Sequence, residues 1–199
     1  MNVRVRFAPS PTGGLHIGGL RTALFNYLFA KKNNGKFILR LEDTDRNRFV
    51  EGAEEYIVNA LNWAGLTPDE SPSAPGAFGP YRQSERKALY KDELEKLIAS
   101  GKAYYAFDTQ EELTAARNES EQKGEVFKYS AHNRRKFRNA VSLSKEELEN
   151  EINKGKGVVR LKVTDGERIV VKDKIRGEIQ INSNEIDDKI LMKADGMPT

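Results

Sequence analysis

The residues whose types and spacing could do chemistry crowd into positions 3–45, VRVRFAPSPTGGLHIGGLRTALFNYLFAKKNNGKFILRLEDTD. Arg6 offers a planar guanidinium, which matches a carboxylate in two-point fashion. Glu42 offers a fixed anion suited to an ammonium group. Between them runs the loop APSPTGGLHIGG (8–19), with prolines at 9 and 11 and glycines at 13, 14, 18 and 19. Prolines stiffen such a loop, and glycines let a ligand approach the backbone. A helix N-terminus behind them favours a phosphate. His16 adds one imidazole at that point. A cation, an anion, a phosphate-compatible loop and an imidazole together suit a zwitterion plus a nucleotide.

Positioning these groups requires a βαβ unit. Val3, Val5 and Phe7 alternate with Arg4 and Arg6, a period-2 strand pattern. The run Phe37, Ile38, Leu39 is continuously apolar, as expected for a strand buried on both faces of a parallel sheet. Leu20, Ala23, Leu24, Tyr27 and Leu28 repeat as one face of a helix, and Gly35 is expected to supply its left-handed stop. Ligands of open α/β sheets bind at the carboxyl ends of the strands, the edge that would carry Arg6 and Glu42.

The bulk properties narrow the class. The chain has 199 residues, 32% charged and 38% hydrophobic, with net charge +3 and a pI near 8.9. That balance permits a polyanionic partner without demanding one. The absence of cysteine excludes disulfides and thiolate zinc sites. No apolar run reaches spanning length and no signal-peptide pattern opens the chain, so a cytoplasmic protein is expected.

Further along, Ala53, Tyr56, Ile57, Ala60 and Leu61 form a helical stripe ending at Gly65, with Trp63 expected to pack near its end. Residues 67–80 hold four of the seven prolines and read as a loop. Ser84 is expected to N-cap a helix facing inward through Leu89, Tyr90, Leu94, Leu97 and Ile98, closed by Gly101. Residues 103–107 read as a strand. TQEE (109–112) and SKEE (144–147) are capping boxes opening helices. Residues 158–163, 168–171, 179–181 and 189–193 read as strands, with turns at Asp165-Gly166, Arg176-Gly177 and Asp195-Gly196. AHNRRKFR (131–138) is the densest basic stretch; a solvated face and a track for nucleic-acid phosphates are both open for it.

The blocks RFAPSPTG (6–13), HIGG (16–19) and LEDTDR (41–46) resemble class I aminoacyl-tRNA synthetases, and within them the glutamate–tRNA ligases. EGAEE (51–55), GPYRQSER (79–86), GKAYY (101–105) and DGMPT (195–199) continue the resemblance in order across essentially the whole chain. It implies an α/β fold: residues 1–82 as the first half of a Rossmann-type parallel sheet, 83–195 as an inserted α+β domain that binds the tRNA acceptor, and 196–199 as the start of a return to the catalytic domain. It also implies that the chain is an N-terminal fragment. The second catalytic half, with its KMSKS-type loop, and the anticodon-binding region would then lie outside it.

The resemblance assigns roles as well. His16, Gly18 and Gly19 would be catalytic, His16 by hydrogen bonding to ATP phosphate as charge builds. Pro9, Ser10, Pro11, Thr12, Gly13, His16 and Gly18 would bind ATP, brought with Mg²⁺. Arg6, Ala8, Ser10 and Glu42 would bind glutamate, although a purely structural Arg6–Glu42 ion pair is the plain competitor. Asp43, Thr44, Asp45, Arg46 and Arg48 would meet tRNA(Glu), with local capping the competing role for Asp45. A protein metal site at 42–45 is disfavoured, since one nucleotide-bound Mg²⁺ rarely needs such a cage. The family's fourth HIGH-type position is usually His; Gly19 stands there, as is common in glutamate-specific members. Relatives that bind zinc in the inserted domain carry cysteines where this chain has Ala106 and Asp108, so no zinc is expected. A monomer is expected. The alternatives are a non-catalytic ATP- or acceptor-binding module and a relative that glutamylates a modified tRNA base.

Overall fold

The computed structural model describes residues 3–173 and 176–199. The chain divides into two compact units, Met1–Ala88 and Leu89–Thr199.

In the first unit, β1 (Arg4–Phe7) and β2 (Lys36–Leu39) pair in parallel, with Arg6 opposite Ile38 and Phe7 opposite Leu39. Helix α1 (Ile17–Lys32) makes the crossover. The chain adds further pairings to β2. Leu39 N–H donates to Glu70 O at 2.9 Å, and Leu41 N–H to Tyr81 O at 3.0 Å. β2 is thus an inner strand, and this explains why Phe37, Ile38 and Leu39 are all buried. Helix α2 (Ala53–Trp63) closes the core through Ala53, Ile57 and Leu61, and Gly65 ends it with φ 71°.

Several details differ from expectation. Leu24 and Leu28 are 42% and 53% exposed, because α1 meets the sheet through the small residues Ala23 and Ala30, flanked by Leu20 and Tyr27. Small side chains let helix and sheet approach closely, which turns the larger leucines outward. Trp63 is 85% exposed rather than packed, and Tyr56 points away from the core stripe. The left-handed residue after α1 is Asn34 (φ 51°), not Gly35. Gly35 serves a different need: a Cβ there would sit 2.4 Å from Val3 O, where β2 begins its pairing with β1.

After a 3-10 turn at Gln83–Arg86, helix α3 (Lys87–Ala99) follows. Ser84 lies inside that turn instead of capping a helix; its N–H and hydroxyl both donate to Asp43, at 2.8 and 2.5 Å. In the second unit, β3 (Ala103–Ala106), β4 (Val158–Leu161) and β7 (Ile190–Met192) form an antiparallel sheet in the order β3-β4-β7. β5 (Arg168–Asp173) and β6 (Gly177–Asn182) form a separate antiparallel pair. Helices α4 (Gln110–Gln122) and α5 (Lys145–Asn153) open with complete capping boxes at Thr109/Glu112 and Ser144/Glu147, as their sequences predict. Asp188 is fully buried. It is bonded to Arg134, Tyr104 and the Val163 N–H. Burial, and then the Asp188 carboxylate, pushes the Tyr104 phenol up.

One long-range latch ties the first unit together. Arg4 donates to Glu70 through two nitrogens at 2.7 and 2.6 Å, and the Tyr81 hydroxyl donates to the same carboxylate. The Arg4 guanidinium also lies 4.5 Å from the Phe78 ring centroid. These hydrogen bonds, Arg4 first and Tyr81 second, hold the Glu70 carboxyl at about 2. A carboxyl depressed in the folded state stabilises above its unfolded value, near 4.5, and that contribution disappears as pH falls towards about 2. Replacing Glu70 by Gln is expected to lower stability by ~2 kcal/mol at neutral pH. It should also flatten the acid limb between those two values, as read by urea unfolding at a series of pH values.

Candidate active site

The loop after β1 is fixed by backbone bonds at both sides. Glu42 N–H donates to Pro9 O at 2.9 Å and Val50 N–H to Pro11 O at 3.1 Å, while Pro11 is fully buried. Together with α1 it encloses a cavity of about 270 Å³. Ser10, Thr12 and His16 supply polar groups, Gly13, Gly14 and Gly19 supply backbone, and the core residues Phe7 and Ile57 lie beneath. Pro9 and Leu15 complete the wall.

His16 is the N-cap of α1. Its Nδ1 accepts from Gly18 N–H at 3.1 Å, and the residue is exposed rather than turned into the core. A nitrogen that accepts carries no proton, so the neutral ring holds its proton on Nε2. Capping and hydrogen-bond donation therefore use different ends of one imidazole. Gly18 is required by that contact, since a Cβ there would lie 2.8 Å from His16 Cε1. At Gly19 a Cβ would meet only the end of the Leu15 side chain, at 2.6 Å.

Arg6 and Glu42 stand together at the carboxyl edge of the strands, Nη1 to Oε1 3.6 Å. Arg40 reaches the same oxygen through Nη2 at 3.4 Å. One carboxylate oxygen thus lies between two guanidiniums, an excess of positive charge that a second carboxylate would balance. Arg6 and Glu42 do not line the loop cavity. Phe7 does, and successive strand residues face opposite sides of the sheet. Arg6 and Glu42 therefore adjoin the loop cavity at one strand edge, joined to it through Glu42 N–H and Pro9 O. Ala8 links them in sequence.

The acidic run after Glu42 is largely engaged in local structure. Asp43 is held by Ser84, Thr44 is buried, and Asp45 caps the 3-10 turn Arg46–Arg48 while its Oδ2 lies 2.7 Å from Arg48 Nε. Arg46 and Arg48 remain exposed. The basic stretch 131–138 is not a continuous charged face: Arg134 is buried against Asp188 and Arg138 pairs with Glu151 at 2.5 Å. His132 lies 3.5 Å from Asp165.

Three residues near the site escape a reading of sequence alone. Arg40 looks like an ordinary outward strand position. Val50 acts through its backbone. Tyr56 sits at an apparent core spacing, yet its ring packs where a Cβ on Gly14 would be, 3.3 Å from Tyr56 Cε1. Gly18→Ala is expected to displace the imidazole from its cap. The cost should be about 1 kcal/mol of stability, with altered His16 ring resonances by NMR and the rest of the spectrum unchanged.

Against known proteins, the family model for class I tRNA synthetases (E and Q), catalytic domain, matches residues 2–199. The glutamate–tRNA ligase of Christiangramia forsetii is 58% identical over 198 residues, covering 99% of this chain and 39% of the relative. That of Flavobacterium johnsoniae is 56% identical over 198 residues, covering 99% and 40%. A crystal structure of a glutamate tRNA ligase from Elizabethkingia meningosepticum in complex with its amino acid superimposes with a TM-score of 0.95 at 52% identity. It covers all of this chain and 40% of that one. A glutamate-tRNA synthetase structure from Elizabethkingia anophelis gives 0.96 at 52% identity. The chain thus spans about 40% of the length of the relatives it matches. With the parallel β1–β2 unit, its glycine-lined loop and its helix-capping histidine in place, the chain belongs to the class I tRNA synthetases of the E and Q group, within their catalytic domain.

Proposed function

We propose that the chain supplies the glutamate- and ATP-binding part of a glutamate–tRNA ligase. The observation that carries this is the Arg6–Glu42 pair, 3.6 Å apart at the strand edge that also holds the His16 loop. Glutamate brings a side-chain carboxylate and an α-ammonium, and each meets the group of opposite charge. Arg6 releases Glu42 to take the carboxylate in two-point fashion. Glu42 takes the ammonium while Arg40 keeps it oriented. The loop residues Pro9, Ser10, Pro11, Thr12 and Gly13 receive the ATP phosphates, and Gly18 keeps the His16 ring close against the start of α1, beside which the adenine would lie.

The glutamate α-carboxylate then attacks the α-phosphorus of ATP in line, and pyrophosphate leaves. No protein nucleophile is involved; positioning and charge stabilisation carry the step. His16 Nε2–H donates to the phosphate as negative charge develops. None of the residues lining the loop cavity is a carboxylate. A magnesium ion arriving with ATP would therefore be carried by the phosphates, and no step here is assigned to it. In the second reaction the 2′-hydroxyl of the terminal adenosine of tRNA attacks the activated carbonyl, and AMP leaves. Exposed Arg46 and Arg48 are placed to meet tRNA phosphates. Residues 83–195 are assigned as the inserted, acceptor-binding domain, with 196–199 returning to the catalytic domain.

The test is exchange of labelled pyrophosphate into ATP by a protein of the relatives' length that carries this chain. Exchange should require glutamate and be supported with tRNA(Glu) present. Exchange driven by another amino acid, or none at all, would overturn the assignment. In that protein His16→Ala should slow adenylate formation by roughly 10²-fold, the scale for loss of one preorganised donor. Its folded fraction should stay unchanged by circular dichroism. An unchanged rate would remove the donor role.

A further inference from the structure

The matched family spans E and Q, glutamate and glutamine in one-letter code. These amino acids differ at one point, a carboxylate against a neutral carboxamide. At the strand edge Glu42 Oε1 lies 3.6 Å from Arg6 Nη1 and 3.4 Å from Arg40 Nη2. Among the described residues Glu42 is the one carboxylate ion-paired with either guanidinium. The three side chains therefore carry one excess positive charge. Arg40 is the more deeply set cation, its side chain 21% exposed against 43% for Arg6. Its N–H donates to Phe7 O at 3.1 Å, which fixes its backbone to β1. Its Nε is buried without an acceptor among the described residues. A partly buried cation is screened less than an exposed one, so its field reaches further. A ligand that displaces Glu42 from Arg6 thus finds Arg6 accessible and Arg40 still beside Glu42.

We infer that Arg40 is a specificity-determining residue: its charge, which Glu42 cannot cancel together with that of Arg6, makes the edge select an anionic side chain over the neutral amide of the same shape. The inference rests on the Arg6–Glu42 reading proposed above and deepens it. Orientation of Glu42 helps glutamate and glutamine alike, whereas charge separates them. The α-ammonium and α-carboxylate are common to both, so the interactions of Arg40 with them cancel in the comparison. What remains is the attraction between the Arg40 guanidinium and the side-chain carboxylate seated at Arg6. Both guanidiniums neighbour one oxygen, so that carboxylate falls inside the screening length of Arg40. Without Arg40, Arg6 and Glu42 form a balanced pair, and glutamate must break it with no residual charge to gain. Arg40 does not touch the substrate in this arrangement and is not a catalytic residue.

The experiment uses a protein of the relatives' length that carries this chain, in glutamate-dependent exchange of labelled pyrophosphate into ATP. The KM for glutamate and the inhibition constant of glutamine as its competitor are measured for Arg40→Gln and Arg40→Lys. Arg40→Gln should raise the glutamate KM roughly tenfold, the scale of a partly screened charge pair, and leave the glutamine constant unchanged. The difference from the parent should shrink as salt is added. Arg40→Lys keeps the charge and loses the planar fork, so both constants should stay within about twofold of the parent. Constants that rise together in Arg40→Gln would leave Arg40 an orienting role alone and overturn the inference. So would a glutamate KM that does not move, or an Arg40→Lys that behaves as Arg40→Gln does. Arg6→Ala separates this from failure of the underlying reading. A glutamate KM unmoved in Arg6→Ala overturns the Arg6–Glu42 assignment itself. A KM raised there, beside an unmoved ratio of the two constants in Arg40→Gln, overturns only the role of Arg40. Should Arg40→Gln fold poorly, Arg40→Met, of similar reach and without charge, takes its place.

Discussion

Everything at the candidate site depends on the parallel register of β1 and β2. Arg6 stands opposite Ile38, so the next position on that face, just past the end of β2, is Arg40, and the chain then brings Glu42 back to Pro9. The result is one carboxylate between two guanidiniums at 3.4 and 3.6 Å. These distances are longer than a tight ion pair, and the side chains are partly exposed. An exposed pair of this kind contributes little to stability. Its value lies in charge placement. A slip of one residue in the register would send Arg6 to the core face and Phe7 to the edge.

The loop on the other side of β1 is built on a related economy. His16 gives one nitrogen to the helix, which leaves Nε2 outside that bond. A serine or aspartate would cap as well, but neither would leave a second, oppositely directed donor. Gly18 follows from the same contact, since the ring occupies the space of its missing Cβ. The polar cap and the proposed phosphate donor, two readings that compete when His16 is seen as a single letter, would use two different atoms of one side chain.

Local rules were legible in the sequence and distant ones were not. The capping boxes at Thr109/Glu112 and Ser144/Glu147 depend on residues three apart, and both formed. The βαβ unit followed from hydrophobic period. The orientation of α1 did not, because Ala23 and Ala30 carry little hydrophobic weight in a pattern yet set the closest approach to the sheet. Gly35 resembles a helix stop, yet its constraint is Val3 O, far away in sequence. Arg134 looks like one member of a basic run, yet its partner Asp188 lies 54 residues further along the chain. The Arg4–Glu70–Tyr81 latch had no local signature at all. At the site itself, the residue types and their shared strand edge were legible, whereas Arg40 beside Glu42 carries no signal in the sequence.

The central claim is that Arg6 and Glu42 exchange each other for the two charged ends of glutamate. The most direct measurement is the glutamate and ATP dependence of adenylate formation in Arg6→Ala and Glu42→Gln, made in a protein of the relatives' length that carries this chain. The account predicts a KM for glutamate raised by tenfold or more in each variant, with the KM for ATP unchanged. Unaltered glutamate dependence in both, with only a lower melting temperature, would show the pair to be a structural ion pair and contradict the account.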